Sequence, residues 1–162
     1  MTCFDFCARV VAVCKQKGLT VGTAESCTGG GIAQAITNVG GSSAVFCGGL
    51  VTYTNELKMA LLGVDSAIIA EQSEVSHACA RAMAIGAREM LGVAIAVSTT
   101  GYAGPTGGTS RDPVGTVYIG VATADDCFTE RFLAPRGATR EEVRRVATER
   151  ALELVLQVAE LA

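Results

Sequence analysis

The chain has 162 residues, 49% of them apolar and only 18% charged, which suits one folded core and excludes a disordered chain. A formal net charge of −3, with no basic run, excludes a polynucleotide-binding surface. No apolar run approaches the roughly 20 residues of a membrane span, and no charged-then-apolar leader with a cleavage site opens the chain.

Residues 3–17 set Phe6, Val10, Val11, Val13 and Cys14 at helical spacing, with Lys15 and Lys17 in the last turn and Gly18 as the stop. Residues 20–24 read as a short strand, after which Cys27 and Thr28 are expected to cap a helix over 32–39. A second strand over 44–54 carries Gly48 and Gly49 as a bulge, and a short helix over 55–62 stops at Gly63. An amphipathic helix over 76–91 has Ser73 or Ser76 as its cap and Gly92 as its end. Residues 93–100 (V-A-I-A-V-S-T-T) form a nearly continuous apolar run, as in a strand buried on both faces. A glycine loop over 101–113 follows, then two strands, 114–122 and 127–133, flanking T-A-D-D as an antiparallel hairpin. The last helix, 139–161, begins T-R-E-E. Alternating helices and strands that finish in a hairpin predict a three-layer α/β fold with a mixed sheet. Without a repeat or a linker, the expectation is one domain over 1–162.

The seven cysteines, at 3, 7, 14, 27, 47, 79 and 127, contain no C-x-x-C pair and are odd in number. Most lie in apolar runs, where a free thiol packs as a small hydrophobe, so neither a disulfide framework nor a zinc site is expected. The chain reads as a soluble protein of a reducing compartment, the cytoplasm, with a small-molecule ligand, no nucleic acid and no membrane partner. Its glycine loops and apolar composition lead us to expect a homo-oligomer.

One histidine and no tryptophan leave few routes to chemistry. His77 lies in the first turn of the 76–91 helix, remote from every glycine turn, and reads as a capping or surface residue. The stretch T-A-E-S-C-T-G-G-G (23–31) joins a strand end to a helix start, where free N–H groups and the helix dipole favour anions. Ser26, Thr28, Gly29 and Gly30 are therefore candidate ligand-binding residues, the alternative being an ordinary glycine-rich cap. The order of residues matches neither a Walker loop nor G-x-G-x-x-G.

The turn G-G-S-S (40–43) offers Ser43, and the strand after it leads to Tyr53 and Lys58, the sole lysine beyond Lys17. A lysine serves as a base only where burial depresses its pKa; otherwise it is a solvated surface cation. The loop over 99–115 has five glycines and two prolines at the end of the most buried strand, more than a plain turn needs, and offers Thr100, Gly101 and Gly104 to a ligand. Arg136 and Arg140, four apart, are spaced to face one phosphate or carboxylate, or else to pair with Glu141 and Glu142.

These blocks together resemble the CinA C-terminal domain family, the nicotinamide mononucleotide deamidases of bacteria. The matching pieces are A-E-S-C-T-G-G (24–30), G-S-S (41–43), G-G-L-V-T-Y-T-N-E-L-K (48–58), T-G-Y-A-G-P-T-G-G (100–108), P-V-G-T-V (113–117) and F-x-x-x-R-x-x-x-R (132–140). The resemblance implies a three-layer α/β/α domain with a mixed, mainly parallel five-stranded sheet. It also implies metal-independent, cofactor-free hydrolysis of the carboxamide of nicotinamide mononucleotide to nicotinate mononucleotide and ammonia, a step of pyridine nucleotide salvage. Ser43 and Lys58 match the family's serine–lysine pair, and Tyr53 is carried beside them as a catalytic candidate. Ser26, Thr100 and Arg136 or Arg140 match positions that line the nucleotide site, and Ser26 stands beside Ser43 as the other possible nucleophile.

Two departures stand out: Ala134 and Pro135 replace the usual G-D before Arg136, and Tyr102 replaces the usual isoleucine. Many relatives carry a larger N-terminal domain, so a stand-alone form is expected. Two rivals remain beside the amidohydrolase. One is a silent nucleotide-binding or assembly module, and the other is a thiol enzyme using Cys27 with its pKa lowered at a helix start.

Overall fold

A computed structural model describes residues 1–162. Its elements in chain order are α1 (Cys3–Lys17), β1 (Val21–Glu25), α2 (Gly31–Thr37), a 3-10 turn (Ser42–Ala44), β2 (Phe46–Val51), α3 (Asn55–Leu62), α4 (Ser66–Gln72), α5 (His77–Leu91), β3 (Ile95–Gly101), β4 (Thr116–Ala122), β5 (Cys127–Leu133) and α6 (Arg140–Leu161). The sheet order is β2-β1-β3-β4-β5: β2, β1 and β3 are parallel, β4 runs antiparallel to β3, and β5 runs antiparallel to β4. One face is covered by α1, α2 and α6 over a core that includes Val10, Ile32, Ile95, Ile119 and Leu152. The other is covered by α3, α4 and α5, around Leu62, Met83 and Val93. This is the expected three-layer α/β/α fold with a mixed five-stranded sheet. No helix is long and apolar enough to cross a membrane.

Most boundaries follow local chemistry. Thr2 and Thr139 each form a capping box, with Asp5 and Glu142, and Ser76 caps α5 by accepting from the Cys79 N–H. Gly18, Gly63 and Gly92 end α1, α3 and α5 in the left-handed region. The helix α4, capped by Asp65, has no counterpart in the sequence reading. The bulge in β2 falls at Cys47, between Phe46 (paired with Val21) and Gly48 (paired with Gly22), so Gly48 and Gly49 themselves are in register.

The start of α2 is capped differently from the expected Cys27–Thr28 arrangement. Gly29 (φ +60) and Gly30 (φ +97) turn the chain, and no side chain of the loop caps the helix. The cap comes from the end of β1 instead: the buried Glu25 carboxylate accepts from the N–H groups of Ile32 (2.9 Å) and Ala33 (3.1 Å) and from Thr28 Oγ1 (2.7 Å). Thr28 Oγ1 is also bonded to Thr99 Oγ1 at 2.7 Å, which ties the β1 exit to β3.

Packing of α3 against α5 requires a bare backbone at Gly86. A Cβ there would lie 1.9 Å from the Leu62 carbonyl oxygen at the end of α3. Gly86→Ala is expected to destabilise the fold by about 2–4 kcal/mol, because the obstacle is main chain that cannot rotate aside. Urea denaturation measures this, and an unchanged midpoint would contradict the close approach.

Candidate active site

The carboxyl ends of the three parallel strands open into one cleft of 240 Å³. From the β1 exit come Ser26 and Cys27, from the β2–α3 corner Tyr53, Asn55 and Lys58, and from the β3 exit Thr100, Gly101 and Gly104. Glu74 and Val75 enter from the segment before α5, and Arg140 from the start of α6. Ligands of open α/β sheets settle at such strand ends because the connections diverge there and leave a crevice.

Lys58 defines the cleft floor. It projects from α3 into the protein and is 1% exposed. Its Nζ lies 3.1 Å from Ser26 Oγ, 3.0 Å from the Thr52 carbonyl and 3.2 Å from the Tyr53 carbonyl. Burial pushes its pKa below the ordinary lysine value, against an opposing pull from neighbours that include Cys79 and Glu74. A neutral amine has two N–H donors and one lone pair. As an ammonium the nitrogen donates to all three acceptors; once neutral, with its two hydrogens on the carbonyls, it has a lone pair left for the Ser26 hydroxyl.

The expected Ser43–Lys58 pair is not formed. Ser43 lies in the 3-10 turn before β2, is exposed and lines no part of the cleft. That turn sits at the opposite end of β2 from Tyr53, because the strand runs six residues between them. The serine beside the lysine is Ser26, held at the β1 exit by its N–H to the Thr99 carbonyl at 3.0 Å.

The other expected residues divide. Tyr53, Thr100, Gly101, Gly104 and Arg140 line the cleft with Ser26 and Lys58. Arg140 donates to the Gly104 carbonyl at 2.6 Å and to the Tyr53 hydroxyl at 3.0 Å, bridging two walls at the rim. Thr28 is buried beneath the turn with Glu25, and Gly29 and Gly30 shape the turn, but none of the three lines the cleft. Arg136 faces a separate shallow hollow with Pro135, Glu142 and Arg145, so the two arginines do not converge on one anion. Helix α6 starts only at Arg140, and the four-residue spacing therefore does not run along a helix. The departures from the family pattern also separate: Ala134 is buried and bonds the Gly115 carbonyl away from the cleft, whereas Tyr102 is in its wall.

Three features escaped the sequence reading. Glu25 anchors the β1 exit, Glu74 enters the cleft, and Arg144 grips the serine turn by donating to the Cys27 and Thr28 carbonyls, each at 3.2 Å. An acid at a strand end and an arginine on a late helix carry no local signal of such roles. The N–H groups of Cys27 and Thr28, immediately after Ser26, donate to no protein acceptor. His77 is on the surface, bonded through Nδ1 to Thr129 Oγ1 at 2.7 Å.

A family model described as the CinA C-terminal domain matches residues 5–159. A CinA-like protein of Geobacter sulfurreducens is 52% identical over 133 residues, covering 81% of this chain and 32% of the relative. A putative competence-damage inducible protein of Caldicellulosiruptor saccharolyticus is 49% identical over 140 residues, 85% of this chain and 34% of its own length. The chain thus spans about a third of the length of the curated relatives it matches. Among solved structures, a competence/damage inducible protein from Agrobacterium tumefaciens superposes with a TM-score of 0.93 at 36% identity, covering 96% of this chain and 94% of that one. A CinA superfamily protein from Klebsiella pneumoniae superposes with a TM-score of 0.94 at 30% identity, over 100% of both.

Cys27 does not behave as an activated thiol. It is 5% exposed, and burial pushes its pKa up to about 12, the reverse of what a helix start was expected to do. At pH 7.5 iodoacetamide is expected to alkylate exposed Cys47 well before Cys27, read by peptide mass spectrometry. Preferential labelling of Cys27 would restore the thiol reading.

Proposed function

Because this chain belongs to the CinA C-terminal domain family, we propose that it hydrolyses the carboxamide of nicotinamide mononucleotide, giving nicotinate mononucleotide and ammonia, with Ser26 as nucleophile and Lys58 as base. The observation that carries this reading is the buried amine of Lys58 at 3.1 Å from Ser26 Oγ, with its pKa pushed down by burial. The family resemblance supplies the substrate, and the geometry favours Ser26 over Ser43.

In the proposed reaction Lys58 takes the Ser26 proton as Oγ attacks the carboxamide carbon. The negative charge that forms on the carbonyl oxygen needs donors, and the N–H group of Cys27, which lines the cleft beside Ser26, is the nearest main-chain candidate in sequence. Lys58 then returns its proton to the nitrogen, the C–N bond breaks and ammonia leaves. A water, deprotonated by the same amine, hydrolyses the acyl ester and restores Ser26. Lys58 thus works as base and then acid, and the scheme asks for no metal. Arg140, the arginine at the cleft rim, is assigned to the substrate phosphate, with Tyr53 setting its direction.

Ser26→Ala and Lys58→Ala should each lower kcat for ammonia release by about 10³-fold or more, whereas Ser43→Ala should keep near-normal turnover. Full activity in Ser26→Ala, or its loss in Ser43→Ala, would overturn the assignment. Saturable binding by calorimetry with no ammonia from the unmodified chain would instead favour a silent binding module.

The pH profile provides a separate check. Lys58 must be neutral to act as base, so kcat/KM should rise with pH along a limb governed by its deprotonation. Since burial lowers that pKa, the midpoint should lie below the ordinary lysine value of 10.5. Activity that falls over the same range would exclude a lysine base.

A further inference from the structure

The cleft contains a negative charge that the proposed bond cleavage does not use. Glu74 lies in its wall and also borders an adjoining hollow of 380 Å³ with Ser73, Tyr102, Arg111 and Asp112. Its carboxylate takes part in none of the molecule's ion pairs, and its one side-chain partner is the neighbouring Ser73 hydroxyl at 3.3 Å. Arg111, across the hollow, is not paired with it. Of the two other acids there, exposed Glu71 does not reach the cleft, and Asp112 is already held by Arg131 and by the Tyr118 hydroxyl.

The backbone holds Glu74 in place at some cost. Ser73 is the single non-glycine residue with positive φ, at +78, a conformation that costs about 1–3 kcal/mol. It is secured on both sides: Ser76 Oγ donates to the Ser73 carbonyl at 2.8 Å, and Ser73 Oγ accepts from the Val75 N–H at 3.2 Å. The Glu74 carbonyl in turn accepts from Thr100 Oγ1 at 2.7 Å, fastening the segment to the end of β3. A half-buried acid positioned this way, close enough to oppose the fall in the Lys58 pKa, lines the cleft without an ion-pair partner.

We infer that Glu74 is a specificity residue that selects ligands with a cationic ring, an N-alkylated pyridinium bearing a carboxamide, over neutral isosteres. The inference rests on the amidase reading for the identity of the ligand, and it adds the reason one ring charge state is preferred. In the free-base state of Lys58 that the proposed reaction uses, the cleft has one guanidinium at the rim, Arg140, and one carboxylate in the wall, Glu74. That is the charge pattern of a zwitterion with an anionic tail and a cationic ring. Nicotinamide mononucleotide has this pattern, and its reduced form lacks the ring charge. In a partly desolvated cleft, one opposite charge within a few ångströms discriminates by about tenfold.

The test measures binding rather than turnover, by calorimetry on the full chain in a Ser26→Ala background. The probes are nicotinamide mononucleotide and its reduced, neutral-ring form. With Glu74 present, the oxidised form should bind about tenfold more tightly. Glu74→Gln should bring the ratio near one with the reduced form's affinity unchanged, and Glu74→Asp should restore most of the preference. An unchanged ratio in Glu74→Gln, or equal loss of both affinities, would overturn the inference, the latter pointing to a purely structural role. Loss of the preference in Glu74→Gln, in a protein that releases no ammonia with Ser26 present, would uphold the inference while refuting the amidase reading.

Discussion

The Lys58 amine is held out of water against the Ser26 hydroxyl and two main-chain carbonyls, and the surrounding structure is arranged to keep it there. An ammonium in that position would be costly, since burial disfavours the charged form. The carbonyls of Thr52 and Tyr53 accept from Nζ, and Ser26 Oγ completes the three contacts around it. This geometry depends on α3 lying close to α5. Gly86 permits that approach with no side chain in the way of the Leu62 carbonyl. A contact some distance from the cleft thus determines whether the amine reaches the serine.

The serine depends on an equally indirect support. Ser26 follows β1 directly, and the next turn is stabilised from both sides. Glu25 gathers the N–H groups of Ile32 and Ala33 with the Thr28 hydroxyl from below. Arg144, from α6, draws on the Cys27 and Thr28 carbonyls from above. The carbonyls of the turn are thus engaged, while its Cys27 and Thr28 N–H groups have no main-chain acceptor. Rigid support of this kind matters because preorganised donors gain their strength from not having to reorient.

The cleft walls divide the remaining tasks by charge. Arg140 links Tyr53 to the loop after β3 at the rim, while Glu74 lines the wall without an ion-pair partner. The replacement of the familiar G-D by Ala134 and Pro135 leaves this pattern alone, because Ala134 packs beneath Gly115 and Arg136 turns to a different hollow. Tyr102, the other departure, borders both the cleft and the adjoining hollow, so it influences the site where the first departure does not.

Much of this was legible in the chain itself. Helix ends were marked by glycine and by Ser or Thr caps, whose effect is local, and the apolar run over 93–100 announced a strand buried on both faces. The order of strands and the hairpin gave the layer architecture, and the glycine loop after β3, singled out for its composition, lines the cleft. The lysine, too, stood out by its rarity. Its partner did not. Ser26 and Ser43 were similar small-residue turns on paper, separated only by which end of the sheet each occupies. The parallel β1–β2 register brings Ser26 to the carboxyl end with Lys58 and leaves Ser43 at the other. The same is true of Glu25 capping a helix from a strand, Arg144 reaching across to residue 27, and Arg140 parting from Arg136. Propensity, caps and turns depend on neighbours in sequence, so the chain alone determined them; burial, charge balance and the choice of serine depend on groups brought together by packing, and only the tertiary structure decided those.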